Sequence, residues 1–217
     1  MRELDLKEAA EAVRRGGLLV YPTETYYAVG CSALDAAAIH RVFGAKRRGH
    51  GLPLPVIIGS LDQLSLVAGP LSPQAEELIR ELAEKFWPGP LSILVPAGEA
   101  VPPELCAGTG RVAVRLSSHA EAAGLCLTAG CPLVSSSANI SGRPPVVEPA
   151  DLDPELTTAV DGGLYDPLPR PSGGLPSTIV EIYQEPSRSD RIGLRVLRAG
   201  AVSVADLRDQ GFLVCEI

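Results

Sequence analysis

The chain has 217 residues, of which 46% are hydrophobic and 21% are charged, and its formal net charge is −7 at pH 7. A chain of this size can bury a core without covalent staples, and we expect one domain over residues 1–217. The acidic balance disfavours a protein that grips nucleic acid by its overall charge, although a local basic patch is compatible with it. No apolar run approaches the roughly 20 residues of a membrane span, so we expect no membrane partner.

The N-terminus and the cysteines both predict a cytoplasmic protein. Residues 1–8 carry acidic side chains in an amphipathic pattern, unlike the basic start and unbroken apolar segment of an export signal. The cysteines are odd in number and lack Cys-x-x-Cys spacing, which argues against a disulfide framework and a structural zinc site. We interpret them as reduced thiols, at Cys31, Cys106, Cys126, Cys131 and Cys215.

Helical and strand patterns alternate along the first half of the chain. Helical periodicity marks residues 4–15, 36–45 and 72–86. Asp35 and Ser72 are placed to cap the second and third of these helices. Short apolar runs predict strands at residues 18–21, 54–58 and 91–95. Pro55 indicates that the middle strand lies at a sheet edge or begins there.

The second half continues the alternation. Strands are predicted at residues 112–116, 132–135, 177–183 and 194–200. A helix rich in small residues is expected at 118–130, and a short helix near the C-terminus. Residues 161–163 and 171–176 are rich in Gly or Pro and predict loops. The pattern indicates an α/β fold.

One stretch combines a buried strand with polar groups at its carboxyl end. The apolar run at 132–134 ends in Ser135, Ser137 and Asn139, and Asn139 is the only asparagine in the chain. Open α/β sheets bind ligands at such strand ends, which makes this stretch a candidate site. Two other interpretations stay open: Ser and Asn are also favoured simply as turn formers, and Asn139-Ile-Ser141 matches a glycosylation acceptor, which requires a secreted protein.

Other strand ends add hydroxyls and cations to the same predicted basin. They carry Thr23, Thr25, Arg115 and Arg198, and a basic turn contributes Lys46 and Arg48. Cations neutralise phosphate or carboxylate while hydroxyls orient the oxygens, so this inventory suits anionic ligands. The turn by itself is also explained by cations stabilising a helix C-terminus. A nucleophile elbow, a Walker loop and a Gly-x-Gly-x-x-Gly motif do not occur.

Eight segments in order resemble the YrdC-like family, the L-threonylcarbamoyladenylate synthases. They are residues 21–30, 43–48, 86–91, 112–115, 137–144, 161–163, 177–180 and 197–200. The resemblance implies a YrdC/RibB-type fold, with a twisted mixed sheet, flanking helices and a positively charged concave cleft. It implies the conversion of L-threonine, bicarbonate or CO2, and ATP with Mg²⁺ into threonylcarbamoyl-AMP and pyrophosphate. A tRNA-modifying threonylcarbamoyltransferase complex would then use the product to modify adenosine 37.

The resemblance also assigns residues to roles. Lys46, Arg48, Ser137 and Asn139 would serve catalysis and contact ATP. Arg111 and Arg198 would also hold ATP. The residues expected around threonine are Thr25, Arg115, Ser135 and Ser177. No protein metal site is implied, because Mg²⁺ would be held by the ATP phosphates.

The chain departs from the family pattern at several positions. Leu52 and Ile57 stand where an Asn and a His are usual, which puts one ATP contact and one threonine contact in doubt. Ala199 replaces a usual Pro, and Tyr26-Tyr27-Ala28 replaces Val-Tyr-Gly. Tyr27 is expected either to line the pocket or to pack in the core.

Two alternatives remain. An RNA-binding module without adenylation activity would use basic side chains, namely Arg41, Lys46, Arg47, Arg48 and His50, along a phosphate backbone. Only 4% of the residues are aromatic, which gives such a module little stacking surface. A carbamoyl-adenylating enzyme, of the kind found within hydrogenase-maturation proteins, is the other alternative.

Overall fold

The computed structural model describes residues 1–165, 169–184 and 192–215. The helices in these ranges are α1 (Leu6–Arg14), α2 (Ala36–Lys46), α3 (Pro73–Phe86), α4 (Ala120–Ala129), α5 (Pro154–Ala159) and α6 (Val204–Asp209). The strands are β1 (Leu19–Pro22), β2 (Tyr27–Gly30), β3 (Val56–Ile58), β4 (Leu91–Pro96), β5 (Arg111–Leu116), β6 (Leu133–Val134), β7 (Ser136–Ser137), β8 (Gly162–Gly163), β9 (Thr178–Gln184), β10 (Ile192–Arg198) and β11 (Val214–Cys215). Short 3₁₀ turns lie at Leu61–Leu66 and Pro149–Asp151.

The strands form two mixed sheets. The four-stranded sheet has the order β7-β2-β1-β8, and the seven-stranded sheet has the order β11-β10-β9-β4-β5-β3-β6. Parallel and antiparallel pairs occur in both sheets; β1 runs antiparallel to β2 and parallel to β8. The expected α/β fold with a mixed sheet and flanking helices is confirmed, and its strands are divided between two such sheets.

Both faces of the central strands are buried, which explains their unbroken apolar sequences. Val20 in β1 and Val56 in β3 belong to a large core that includes α2, α3 and both sheets. Their neighbours Leu19 and Ile57 face a second core formed with α1 and α4. Alternate side chains of one strand point to opposite faces, so each strand supplies both cores.

The chain crosses from one sheet to the other at Ser135. This residue separates β6, at one end of the seven-stranded sheet, from β7, at one end of the four-stranded sheet. The Ser135 amide donates to Pro55 O at 2.8 Å, and the Ala138 amide donates to Tyr27 O at 2.7 Å. The polar stretch after β6 is therefore fixed at the junction of the two sheets.

Most elements expected from sequence are present. The Asp35 side chain accepts from the Ala38 amide and Ser72 from the Ala75 amide, which confirms both caps. The strand after Pro55 begins at Val56, although β3 lies between β5 and β6 and not at an edge. The prediction of a loop at 161–163 was wrong, since Gly162–Gly163 forms β8 beside β1. Within the described ranges, no helix has the length and apolar character needed to cross a bilayer.

Candidate active site

Polar segments from both sheets line one small pocket, which we call the junction pocket. Its polar lining includes Thr23, Thr25, Arg115, Ser135, Ser136, Ser137, Ser177 and Arg198. The pocket encloses about 120 Å³, whereas sites for drug-sized ligands measure roughly 300–1,000 Å³. It can enclose a small molecule such as an amino acid, while a nucleotide would extend outside it. A larger groove of about 770 Å³ beside α3 is mostly apolar and contains none of the predicted site residues.

The basic turn that begins at the last residue of α2, Lys46, contacts the loop after β7. The Lys46 ammonium donates to Asn139 O at 2.7 Å, to Asn139 Oδ1 at 3.4 Å and to Ser137 O. The Ser141 amide in turn donates to Lys46 O at 2.8 Å. We call residues 137–143 the Ser-x-Asn loop. The structure therefore brings together the basic turn and the Ser-x-Asn loop, which the sequence analysis expected to share one basin.

The Asn139 side chain is used within this loop. Its Oδ1 accepts from Ser137 Oγ at 2.5 Å, and its Nδ2 donates to Ile140 O at 3.0 Å and Arg143 O at 2.5 Å. The residue is 9% exposed. The turn-former interpretation is correct for these contacts, and it is compatible with a functional role because the same loop borders the junction pocket.

Two cations of the basic turn are partly desolvated. Lys46 is 1% exposed, and burial, followed by the charge of Arg48, lowers its pKa to about 7. Burial also lowers the pKa of Arg48. Its Nη2 donates to Pro53 O at 3.0 Å, but its buried Nε has no partner within the described part of the chain. An anion beside this turn would reduce the repulsion between Lys46 and Arg48 and would accept a hydrogen bond from Arg48 Nε.

Arg198 reaches the pocket from the end of β10. Its Nε and Nη2 donate to Ser177 O at 3.0 and 2.7 Å, and Nη2 also lies 2.9 Å from Ser177 Oγ. Burial and then the charges of Arg115 and Arg48 lower the pKa of Arg198. Gly200 makes this arrangement possible, since a Cβ there would lie 2.2 Å from Pro176 O. Arg115 and Arg198 both line the junction pocket, and the charge of Arg48 acts on Arg198 from the adjoining basic turn.

Arg115 has an acidic partner that the sequence predictions did not include. Its Nε donates to Glu24 Oε1 at 2.8 Å, and the two side chains are 4% and 13% exposed. Burial acts to raise the pKa of the Glu24 carboxyl, but the charge of Arg115 and a hydrogen bond from Ser117 outweigh burial and lower it. The position of Glu24 between Thr23 and Thr25, just after β1, was the available signal.

The remaining predicted residues occupy different positions. Thr25 is buried, with its Oγ 3.4 Å from Thr23 Oγ, and Ser135 Oγ lies 3.5 Å from Arg115 Nη2. Arg111 is at the opposite end of β5 from Arg115, forms an ion pair with Glu181 and does not line the junction pocket. Its expected ATP contact stays a prediction.

The departures from the family pattern fall into three structural classes. Leu52 is 55% exposed, and Ile57 is buried in the second core, so Ile57 offers no polar contact. Tyr27 both lines the pocket and packs in the large core. Tyr26 lines the pocket and donates to Gly174 O. Ala199 is exposed in the turn after β10.

The basic residues considered for RNA binding do not share one free surface. Arg41 pairs with Asp161 at 2.8 Å, and Arg47 pairs with Glu155 at 2.7 Å. Lys46 is buried, and the His50 ring packs 4.6 Å from that of Phe43. This arrangement does not favour the RNA-binding alternative.

The fold and the pocket together define the class of ligand that the protein can bind. Two mixed sheets that meet at a pocket lined by cations and hydroxyls are suited to anionic small molecules. A family model named Sua5_yciO_yrdC, described as "Telomere recombination", matches residues 11–200. The chain belongs to this Sua5/YciO/YrdC family.

Relatives within the family are similar in sequence and in structure. The chain is 35% identical over 190 residues to a threonylcarbamoyl-AMP synthase of Pyrococcus abyssi, covering 86% of this chain and 53% of that protein. It is 36% identical over 177 residues to one of Stenotrophomonas maltophilia, covering 78% and 94%. The crystal structure of P. abyssi Sua5 complexed with L-threonine superposes with a TM-score of 0.84 at 30% identity, covering 97% of this chain and 58% of that one. The chain thus spans about half the length of the P. abyssi relative.

Proposed function

We propose that the chain is a threonylcarbamoyl-AMP synthase, which converts L-threonine, bicarbonate or CO2, and ATP into threonylcarbamoyl-AMP and pyrophosphate. The observation that carries this proposal is the contact between Lys46 Nζ and the Ser-x-Asn loop, 3.4 Å from Asn139 Oδ1, where that loop borders a pocket lined by Arg115 and Arg198. The names of the relatives, and the L-threonine bound to P. abyssi Sua5, support the same assignment.

The reaction requires two anions to approach each other. The threonine amine adds to CO2 and releases a proton, which gives a carbamate. A carbamate oxygen then attacks the α-phosphorus of ATP, and the bond to the bridging oxygen breaks as pyrophosphate leaves. Fixed cations around both reactants lower the electrostatic barrier without having to reorganise, which is the main contribution expected from this basin.

The residue roles combine what the family resemblance implies with position in the basin. Arg115 binds the threonine carboxylate, and the hydroxyls around it, from Thr25, Ser135 and Ser177, orient the amino acid in the small pocket. Arg48 and Arg198 neutralise ATP phosphates, and Arg111, at the opposite end of β5 from Arg115, keeps the ATP contact that the resemblance implies. Lys46 holds the Ser-x-Asn loop by its backbone and amide oxygens, so that Ser137 and Asn139 border the phosphates.

ATP enters this scheme as its Mg²⁺ complex, with the metal held by phosphate oxygens. Within residues 1–165, 169–184 and 192–215, no three His, Cys, Asp or Glu side chains converge as a metal site. Glu24 lies near the basin, but Arg115 and Ser117 already occupy its oxygens. Phosphate oxygens are ligands that Mg²⁺ prefers, which is the basis for placing the metal on the nucleotide.

The product is a mixed anhydride of a carbamic acid and AMP, and its activated carbonyl must pass to an acceptor before water hydrolyses it. We place the acceptor reaction in a tRNA-modifying threonylcarbamoyltransferase complex acting on adenosine 37. The protein would then work in the cytoplasm, and its five cysteines, all free thiols in the structure, are compatible with that compartment.

Pyrophosphate release tests the assignment. Purified protein with MgATP, L-threonine and bicarbonate should release pyrophosphate, and omission of threonine should abolish the release. Arg48→Lys should lower kcat/KM for ATP by roughly 10- to 100-fold, because a forked donor becomes a point charge. The matched control is Arg47→Lys, one residue away on an exposed side chain paired with Glu155.

Two outcomes would contradict the proposal. Pyrophosphate release that does not depend on threonine would exclude this reaction. Release with carbamoyl phosphate, but not with threonine and bicarbonate, would favour the carbamoyl-adenylating alternative.

A further inference from the structure

We propose that Glu24 is a positioning residue, which holds the Arg115 guanidinium so that its Nη atoms face the junction pocket and thereby sets the affinity for the substrate carboxylate. This inference rests on the proposed function, since it takes the amino-acid carboxylate as the ligand of Arg115. Glu24 is not among the residues lining the pocket and acts through Arg115.

The guanidinium of Arg115 contacts Glu24 through Nε and faces the pocket through its Nη atoms. The Nε edge donates to Glu24 Oε1 at 2.8 Å, and Nη2 lies 3.5 Å from the pocket hydroxyl of Ser135. Arg115 is 4% exposed and lines the pocket. With Nε bound to Glu24, the Nη atoms are the donors left for a carboxylate, and a fixed fork loses little freedom on binding.

Glu24 is itself fixed at both ends. Its Oε2 accepts from Ser117 Oγ at 2.5 Å, and the same hydroxyl oxygen accepts from the His119 amide at 3.3 Å. The backbone oxygen of Glu24 accepts from the Ser172 amide at 3.1 Å and from Ser172 Oγ at 2.8 Å. A carboxylate held by its neighbours in this way can transmit a defined orientation to Arg115.

A role for Glu24 as a general base is less compatible with these contacts. The threonine ammonium must lose a proton before it adds to CO2, and a nearby carboxylate is an obvious candidate acceptor. Both Glu24 oxygens, however, already accept hydrogen bonds, and its lowered pKa makes it a weaker proton acceptor. Orientation of Arg115 is the role that the geometry supports.

Charge and position predict opposite effects when Glu24 is changed. If Glu24 only neutralised charge, its removal would leave Arg115, Arg48 and Arg198 uncompensated, and a carboxylate would bind more tightly. If Glu24 positions Arg115, its removal frees the guanidinium to turn toward other acceptors, and carboxylate binding weakens. The sign of the change in threonine affinity therefore separates the two roles.

The test compares Glu24→Gln and Glu24→Ala with the wild type. The Gln side chain keeps an oxygen that can accept from Arg115 Nε but lacks the negative charge, whereas Ala lacks both the acceptor and the charge. Threonine affinity, measured calorimetrically with a non-hydrolysable ATP analogue, should fall modestly for Gln and roughly 10- to 100-fold for Ala, the range for hydrogen bonds to charged groups. The preference for L-threonine over L-threoninamide should fall in parallel, while KM for ATP should change less than about twofold because only the carboxylate contact is altered.

Two further variants keep the result interpretable if Glu24→Ala folds poorly. Ser117→Ala leaves the ion pair in place but frees one carboxylate oxygen, and it should reduce the same preference by a smaller factor. Asp161→Asn, which removes a carboxylate paired with Arg41 outside the pocket, should change neither affinity nor preference.

Unchanged or tighter threonine binding in folded Glu24 variants, with a wild type that makes pyrophosphate, would overturn this inference and leave the proposed function standing. A wild type that neither binds threonine nor releases pyrophosphate would overturn the proposed function, and this inference with it.

Discussion

At the scale of single residues, the basin holds more positive charge than its surroundings neutralise. Lys46 is buried at the end of α2 and Arg48, two residues on, is half-buried; burial and the charge of Arg48 together lower the pKa of Lys46 to about 7. When the pKa of a Lys is lower in the folded state than in the unfolded state, protonation of that Lys reduces the free energy of unfolding. Between about pH 7 and the usual pKa near 10.5, the unfolded chain binds more protons, so stability should rise with pH through that window.

Binding of MgATP should reverse this shift. Phosphate charges beside Arg48 favour the ammonium form of Lys46, so its pKa rises on binding whether or not Nζ touches a phosphate. At pH 8 we expect net uptake of about half a proton or more per ATP. Calorimetric titrations in buffers of different ionisation enthalpy measure this uptake. Lys46→Arg should abolish it because a guanidinium stays protonated, and wild-type binding without proton uptake would contradict the prediction.

At the scale of elements, the Ser-x-Asn loop reconciles two interpretations of Asn139, as a turn former and as a candidate site residue. The amide bonds to Ser137, to Lys46 and to two backbone oxygens, so it shapes the loop. The loop then presents Ser137 to the junction pocket.

Asn139→Ala should lower the free energy of unfolding and impair pyrophosphate release together. We expect a loss of about 1–3 kcal/mol, because two backbone oxygens and Lys46 lose buried partners. Urea unfolding measures the loss. The control is Ser72→Ala at the cap of α3, which should cost about 1 kcal/mol while turnover stays at the wild-type level. Wild-type stability in Asn139→Ala would show that the loop does not depend on this amide.

At the scale of the whole molecule, the junction pocket exists only where the two sheets meet. Thr25 comes from the β1–β2 turn of the four-stranded sheet, whereas Arg115 and Arg198 end strands of the seven-stranded sheet. Ser135 lies between the sheets. These segments are distant in sequence and come together only in the folded protein. A ligand of the basin therefore binds the folded state alone and stabilises the entire chain.

MgATP should therefore raise the free energy of global unfolding. At a ligand concentration 100 times Kd, the expected increase is about 2.7 kcal/mol, and thermal and urea unfolding should report it in parallel. An equal ionic strength of sodium chloride serves as the control, since salt screening by itself also reduces repulsion among cations. At the same MgATP concentration Arg48→Lys should show a smaller increase. No increase above the salt control would mean that ATP does not bind in this basin.

The sequence predicted local structure best where the cause is local. The caps at Asp35 and Ser72 and the periodicity of α3 depend on residues within a few positions of each other. The strand at Gly162–Gly163 was missed because its pairing with Leu19 and Val20 involves residues more than 140 positions away. Glycines predict turns, and only a long-range partner converts these two into a strand.

By itself, the sequence determined most of the alternating elements and the inventory of cations and hydroxyls, because periodicity, caps and residue chemistry can be identified along the chain. Only the tertiary structure decided which groups meet: Lys46 with the oxygens of the Ser-x-Asn loop, and Arg115 with Glu24. Glu24 and Arg115 are 91 positions apart. Hydrogen bonds and charge pairing depend on separations of a few ångströms, and these separations are set when the two sheets join.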